Sequence, residues 1–139
     1  MPLDPDHPIV TLCIEGMRAE ADGRFADASA LFQRAWAEQD DALGACIAAH
    51  YVARHQDTPE NTLYWNEQAL AHAGLADDAA VREFFPSLYL NLGHSYEVLG
   101  HHDKARMFYD LAADRVADIT DGRYGRIVRA GIARHRGPP

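Results

Sequence analysis

The chain has 139 residues, 47% of them hydrophobic and 24% charged, and its 21 acids outweigh 13 bases to leave a formal net charge of −8. A chain of this length can bury a sizeable core and is expected to form one compact domain. No apolar run approaches the roughly 18 residues of a membrane span, and an acidic body disfavours broad nucleic-acid binding because it cannot neutralise many phosphates.

The opening MPLDPDHPIV lacks a basic segment followed by an apolar one, so no signal peptide is expected. Cys13 and Cys46 occur without CxxC or histidine-paired spacing. They are expected to be structural thiols of a reducing cytoplasm, with no disulfide. Charge is uneven: residues 1–121 hold all 21 acids against eight bases, while residues 122–139 hold five arginines and no acid. Twelve arginines against the single Lys104 suggest a GC-rich bacterial coding bias.

In chain order, a first helical pair is expected from about Pro8 to Asp41. Gly16, Gly23, Phe25, Ala28, Phe32 and Ala35 carry its spacing, and Asp27 and Ser29 suit the start of its second helix. A second pair spans about 42–74. Its first helix reads DALGACIAAHYVARHQ, and Thr58-Pro59-Glu60 opens the next as N-cap and first-turn proline. A third pair spans about 77–119, with Asp77 and Asp78 favouring a helix start and Pro86 expected to kink or divide the helix. Asp121-Gly122 marks a turn. Residues 123–136 then read as a final helix with Tyr124, Val128, Gly131, Ile132 and His135 on one stripe, followed by a Gly-Pro-Pro tail expected to be disordered. The total is about seven helices and no strand.

The densest pattern lies in YLNLGHSYEVLGHHDKARMFYDLA, where Tyr89, Leu92, Gly93, Tyr96, Gly100, Ala105, Tyr109 and Ala112 recur at fixed spacing. Small residues at 93 and 105 let two helices approach, Tyr96 and Tyr109 fill the volume around them, and Gly100 suits a left-handed turn. This spacing resembles a tetratricopeptide repeat. The chain also resembles a group of small bacterial proteins of that kind with similar AHY-x-ARHQ and PSLYLNLG stretches. The first pair departs from the pattern at Leu12, Glu15 and Ala19. The middle pair departs at His50, Thr62 and Asn66.

The resemblance implies an all-α fold, a short array of about three helical hairpins with a C-terminal capping helix. It also implies that the first helix of each hairpin lines a concave groove. Carried onto this chain, the groove positions are Val10, Cys13, Met17 and Glu20, then Tyr51, Arg54 and His55, then Ser87, Asn91, His94 and Glu97. Several lysines and arginines would be needed there to clamp a partner's terminal carboxylates. They are missing, so that mode is not expected.

His50 and Asn66 read best as a buried polar pair that fixes helix register. The sharper reading makes Tyr51, Arg54, His55, Asn91 and His94 a pocket for a small molecule or peptide end, or gives a histidine the role of general base. His94, Glu97 and His101 share a helical spacing, but His101 follows Gly100, and no HExxH or zinc-module pattern occurs, so no metal is expected. Phosphate-binding loops and nucleophile elbows are also missing. Arg123, Arg126, Arg129, Arg134 and Arg136 are expected to form a basic stripe that is solvated, docks a second copy as in a homodimer, or meets an anionic partner. The function expected is a protein- or peptide-binding module without cofactor. The alternative is a small-molecule binder or enzyme around the His50–His55 helix.

Overall fold

The computed structural model describes residues 4–76, 79–119 and 122–136. Among these there are eight α-helices, two short 3-10 turns and no strand, so the fold class is all-α. They pack as two compact units, residues 4–76 and residues 79–136. The expected helix start at Asp77-Asp78, the turn residue Asp121 and the Gly-Pro-Pro tail lie outside the described residues.

In the first unit, α1 (Pro8–Ala21) begins where His7 Nδ1 accepts from the Ile9 amide at 3.2 Å, with Pro8 in the first turn. It ends in a two-bond cap: the Gly23 amide donates to Glu20 O at 3.0 Å and the Arg24 amide to Ala19 O at 2.8 Å. That geometry needs a left-handed residue, and Gly23 supplies it at φ 76°. After α2 (Phe25–Glu38), Asp41 Oδ1 accepts from the Gly44 amide at 2.6 Å to start α3 (Ala42–Val52). The sequence predicts an α-helix to Gln56; instead the last turn tightens to 3-10 over Ala53–His55. Thr58 Oγ1 then caps α4 (Pro59–Leu75) through the Asn61 amide at 3.1 Å, as its sequence predicts.

Close approach explains the small-residue spacing. A Cβ on Gly16 of α1 would lie 2.3 Å from the ring of Phe32 on α2, and Phe32 is fully buried. Ala28 and Ala35, one turn either side of Phe32, have no exposed surface. α3 is buried almost all round, from Gly44 through Ala49 and again at Tyr51 and Val52, which suits its nearly uniform apolar sequence.

The second unit repeats the hairpin. α5 (Ala79–Arg82) is a single turn, and α6 (Phe85–Val98) starts afresh with Pro86 in its first turn, so the proline divides the helix. α6 ends in the same two-bond cap, Gly100 N to Glu97 O at 3.0 Å and His101 N to Tyr96 O at 2.9 Å, with Gly100 at φ 83°. α7 (His102–Arg115) follows, and a Cβ on Gly93 would lie 2.5 Å from the Tyr109 ring. Tyr96 stacks on Phe108 at 5.5 Å. A 3-10 turn (Val116–Asp118) leads toward α8 (Gly122–Arg136), whose Val128 and Ile132 are buried with Ala112 and Ile119. Gly131 leaves room for Leu90, and Ser87 and Tyr124 are hydrogen-bonded through their hydroxyls.

Both tryptophans, Trp36 and Trp65, lie in the first unit and meet edge to face at 5.0 Å, so indole fluorescence follows its unfolding. Gly16→Ala gains about 1 kcal/mol of helix propensity but overpacks a ring that cannot retreat, at a cost of roughly 1–3 kcal/mol. Gly74, in the last turn of α4, has nothing within 4 Å of where a Cβ would lie. In urea unfolding followed by tryptophan fluorescence, Gly16→Ala should lower the midpoint, while Gly74→Ala should hold it or raise stability by up to about 1 kcal/mol. Equal effects of the two substitutions would contradict the close contact.

Candidate functional site

Glu20 lies in the last turn of α1, and Arg54 and His55 form the 3-10 turn that closes α3. These residues are 34 and 35 positions apart, yet one carboxylate oxygen serves both. Glu20 Oε2 accepts from Arg54 Nε at 3.0 Å and lies 2.7 Å from His55 Nε2. Because a carboxylate only accepts, the imidazole proton sits on Nε2. The Glu20 side chain is 13% exposed and that of Arg54 is 50% exposed, so the cluster has a screened anion at its base and a cation at its rim.

Aromatic packing positions these groups. The Phe32 ring stacks on both Tyr51 (5.3 Å) and His55 (5.7 Å). Phe25, 59% exposed, tilts against His55 at 6.3 Å. Arg54 places its guanidinium carbon 5.9 Å from the centre of the Tyr51 ring. With Nε committed to Glu20, both terminal NH2 groups of Arg54 make no hydrogen bond among the described residues. They present a planar fork that suits a carboxylate or phosphate.

The structure brings Glu20, Arg54 and His55 together and sets Tyr51, 8% exposed, in the core beside them. It corrects two other groove positions: Val10 and Cys13 do not line a surface but pack in the core with Ile47 and Val52. An apolar face on α1 is covered once α3 lies against it. Met17 is half-buried on the same core. Asn91, His94 and Glu97 lie along one side of α6 in the second unit, where His94 is exposed and Glu97 accepts a hydrogen bond from the Tyr109 hydroxyl. Burial, together with that carboxylate, pushes the Tyr109 phenol well above its ordinary range. Ser87 is engaged by Tyr124.

His50 lies on α3 with its ring edge to face with Tyr51 at 5.0 Å, and Asn66 is buried on the neighbouring α4. Burial first, and the nearby Arg54 charge second, push the His50 imidazole down to about 4. It is neutral at physiological pH. The thiols of Cys13 and Cys46 are pushed up to about 12 by burial and stay protonated, which removes them as nucleophiles. His101 lies beyond the end of α6, off the helix that carries His94 and Glu97. Among the described residues no group of three His, Cys, Asp or Glu side chains converges as a metal site.

Two features have no counterpart in the sequence pattern. Phe25 and Phe32 are visible there only as repeat positions, although they clamp His55 from two directions. Trp36 also meets His72 at 5.9 Å, and Tyr64 meets Trp65 at 5.3 Å, giving α2 and α4 an aromatic seam. Helical periodicity carries no signal for which rings meet across 30 residues. Comparison with protein-family models, with curated proteins and with solved structures gives no match.

The depressed His50 value gives a signed pH dependence. Its folded-state value lies below the ordinary 6.5, so its neutral form favours the folded chain and the full contribution is present above pH 6.5. That contribution, on the order of 3 kcal/mol, is lost as pH falls from 6.5 toward about 4. Imidazole NMR should show one histidine neutral at pH 5, and that resonance should vanish in His50→Gln. A full set of histidines titrating near 6.5 would refute the burial argument.

Proposed function

We propose that this chain is a polypeptide-binding interaction module of the tetratricopeptide type. The observation that carries the reading is the Glu20–Arg54–His55 cluster, in which the first helices of two successive hairpins bring their side chains to one partly exposed spot. The matched hairpins support it: Gly16 with Phe32 and Gly93 with Tyr109 share one spacing, and both first helices close in the same glycine cap. In this reading α8 covers the end of the last hairpin by burying Val128 and Ile132.

The chemistry of the spot narrows the partner. The free fork of Arg54 takes a carboxylate, and the exposed Phe25 takes an apolar side chain beside it. An extended polypeptide with an acidic residue next to an apolar one presents both. Free, buried cysteines support a reducing cytoplasm as the working compartment. No cofactor enters this reading.

A photo-crosslinking residue in place of Phe25, expressed in the organism's own cells, tests it. The expected outcome is a discrete polypeptide adduct whose yield falls about tenfold in Arg54→Ala. Far-UV circular dichroism of Arg54→Ala should be unchanged. If no polypeptide is captured, or if Arg54→Ala leaves the adduct intact, the module reading fails.

A further inference from the structure

Residues 1–76 carry twelve acids and four arginines, whereas residues 77–139 carry nine of each sign. The first unit therefore holds the whole net charge of −8, and within the second the positive charge gathers on one helix. On α8 the buried side is Val128, Gly131 and Ile132, with Tyr124 half-buried. Arg123, Arg126, Arg129 and Arg134 occupy the exposed remainder, with Ile127, 62% exposed, among them. None of these arginines has an ion-pair or hydrogen-bond partner among the described residues. Glycines shape the stripe: the Arg126 Nη1 lies 3.5 Å from where a Cβ of Gly122 would be, and the Arg129 Nη1 lies 2.8 Å from that of Gly125. The guanidinium groups thus lie back along the helix over backbone without side chains.

The complementary surface lies at one end of the first unit. Asp4 and Asp6 precede α1, Glu38 ends α2, and Asp40 and Asp41 precede α3; all five are exposed. The starts of α1 and α3 are neighbours, since His7 Nε2 lies 3.6 Å from Asp41 Oδ2. The nearby base Arg34 is already engaged by Glu38.

We propose that the arginine face of α8 docks onto this acidic end of a second copy of the chain. Nucleic acid and anionic membrane are disfavoured as occupants, because four arginines over about three turns of one helix can neutralise only a few phosphates. A second copy instead offers five exposed carboxylates, of which Glu38 and Asp41 are already paired within the chain, and Ile127 supplies an apolar centre to the contact. Two different surfaces meet, so the association is head to tail, and its stoichiometry grows with concentration unless a ring closes.

Sedimentation velocity across a wide concentration range tests this at about 20 mM and about 500 mM NaCl, where screening differs strongly. The wild-type chain should sediment above its 15.4 kDa monomer mass at low salt and return to monomer at high salt. Arg126→Glu/Arg134→Glu and, separately, Asp6→Lys/Asp40→Lys should each weaken association by about tenfold or more. These side chains are exposed, so circular dichroism should show both variants folded. Mixing the two variants should restore association, because each supplies the surface that the other has inverted. A wild-type monomer at low salt overturns the proposal, as does association indifferent to charge reversal or a mixture that stays monomeric. Binding of a short DNA duplex or of vesicles with one-third anionic lipid, with no self-association, overturns it too.

Discussion

The contact on which most else depends is Phe32 lying against a residue without a side chain. Gly16 admits the ring to within what would be 2.3 Å of a Cβ, which sets the separation of α1 and α2. The seated ring then stacks on Tyr51 and His55 and fixes the end of α3. His55, held in that plane, meets the Glu20 carboxylate, and Arg54 joins it. One absent methyl group is thus connected to the geometry of a charged cluster that bridges two hairpins. Tyr109 on Gly93 sets the second unit in the same way, and its hydroxyl reaches Glu97. In both hairpins the aromatic at this position packs on a glycine and also meets a polar side chain, Phe32 through its face and Tyr109 through its hydroxyl.

Much of the helical architecture was legible because it rests on local rules. Gly23 and Gly100, at φ 76° and 83°, supply the left-handed residue that ends a helix, and Thr58-Pro59 begins one. Pro86 divides its helix because it cannot donate within one, and the α8 stripe follows from a 3.6-residue period. What was not legible depended on distant partners. Val10 and Cys13 were groove positions only as the resemblance implied, and whether a face of α1 meets solvent depends on where α3 packs. The role of Phe25 beside His55 depends on the 3-10 tightening of Ala53–His55, which shifts the direction of the last side chains of α3. Glu20, Tyr51, Arg54 and His55 could be grouped beforehand only by borrowing a register from the repeat pattern.

Two histidines five residues apart show how strongly position decides chemistry. His50, half-buried on α3 against Tyr51, loses hydration and is held neutral at physiological pH. His55 stands at the frayed end of the same helix and donates to a carboxylate. The first can fix a tautomer inside the fold; the second can hold a carboxylate in place at a surface.

Energetics give the Glu20–Arg54–His55 cluster only a small share in stability. An ion pair with a half-exposed arginine contributes at most about 1 kcal/mol to folding. A fully buried phenylalanine contributes about 2–3 kcal/mol by burial alone, so Phe32 holds this region without help from the charges. Binding gains differently from the same arrangement. A free arginine that must be ordered on association costs about 0.5–1.5 kcal/mol, and Arg54 is already anchored through Nε and set beside Tyr51 with its fork outward. The carboxylate that anchors it is largely screened, at 13% exposure, so it orients the guanidinium without blocking the outward NH2 groups. The cluster thus adds little to folding, yet it holds a cation already oriented beside an exposed phenylalanine, which is the property the proposed binding role draws on.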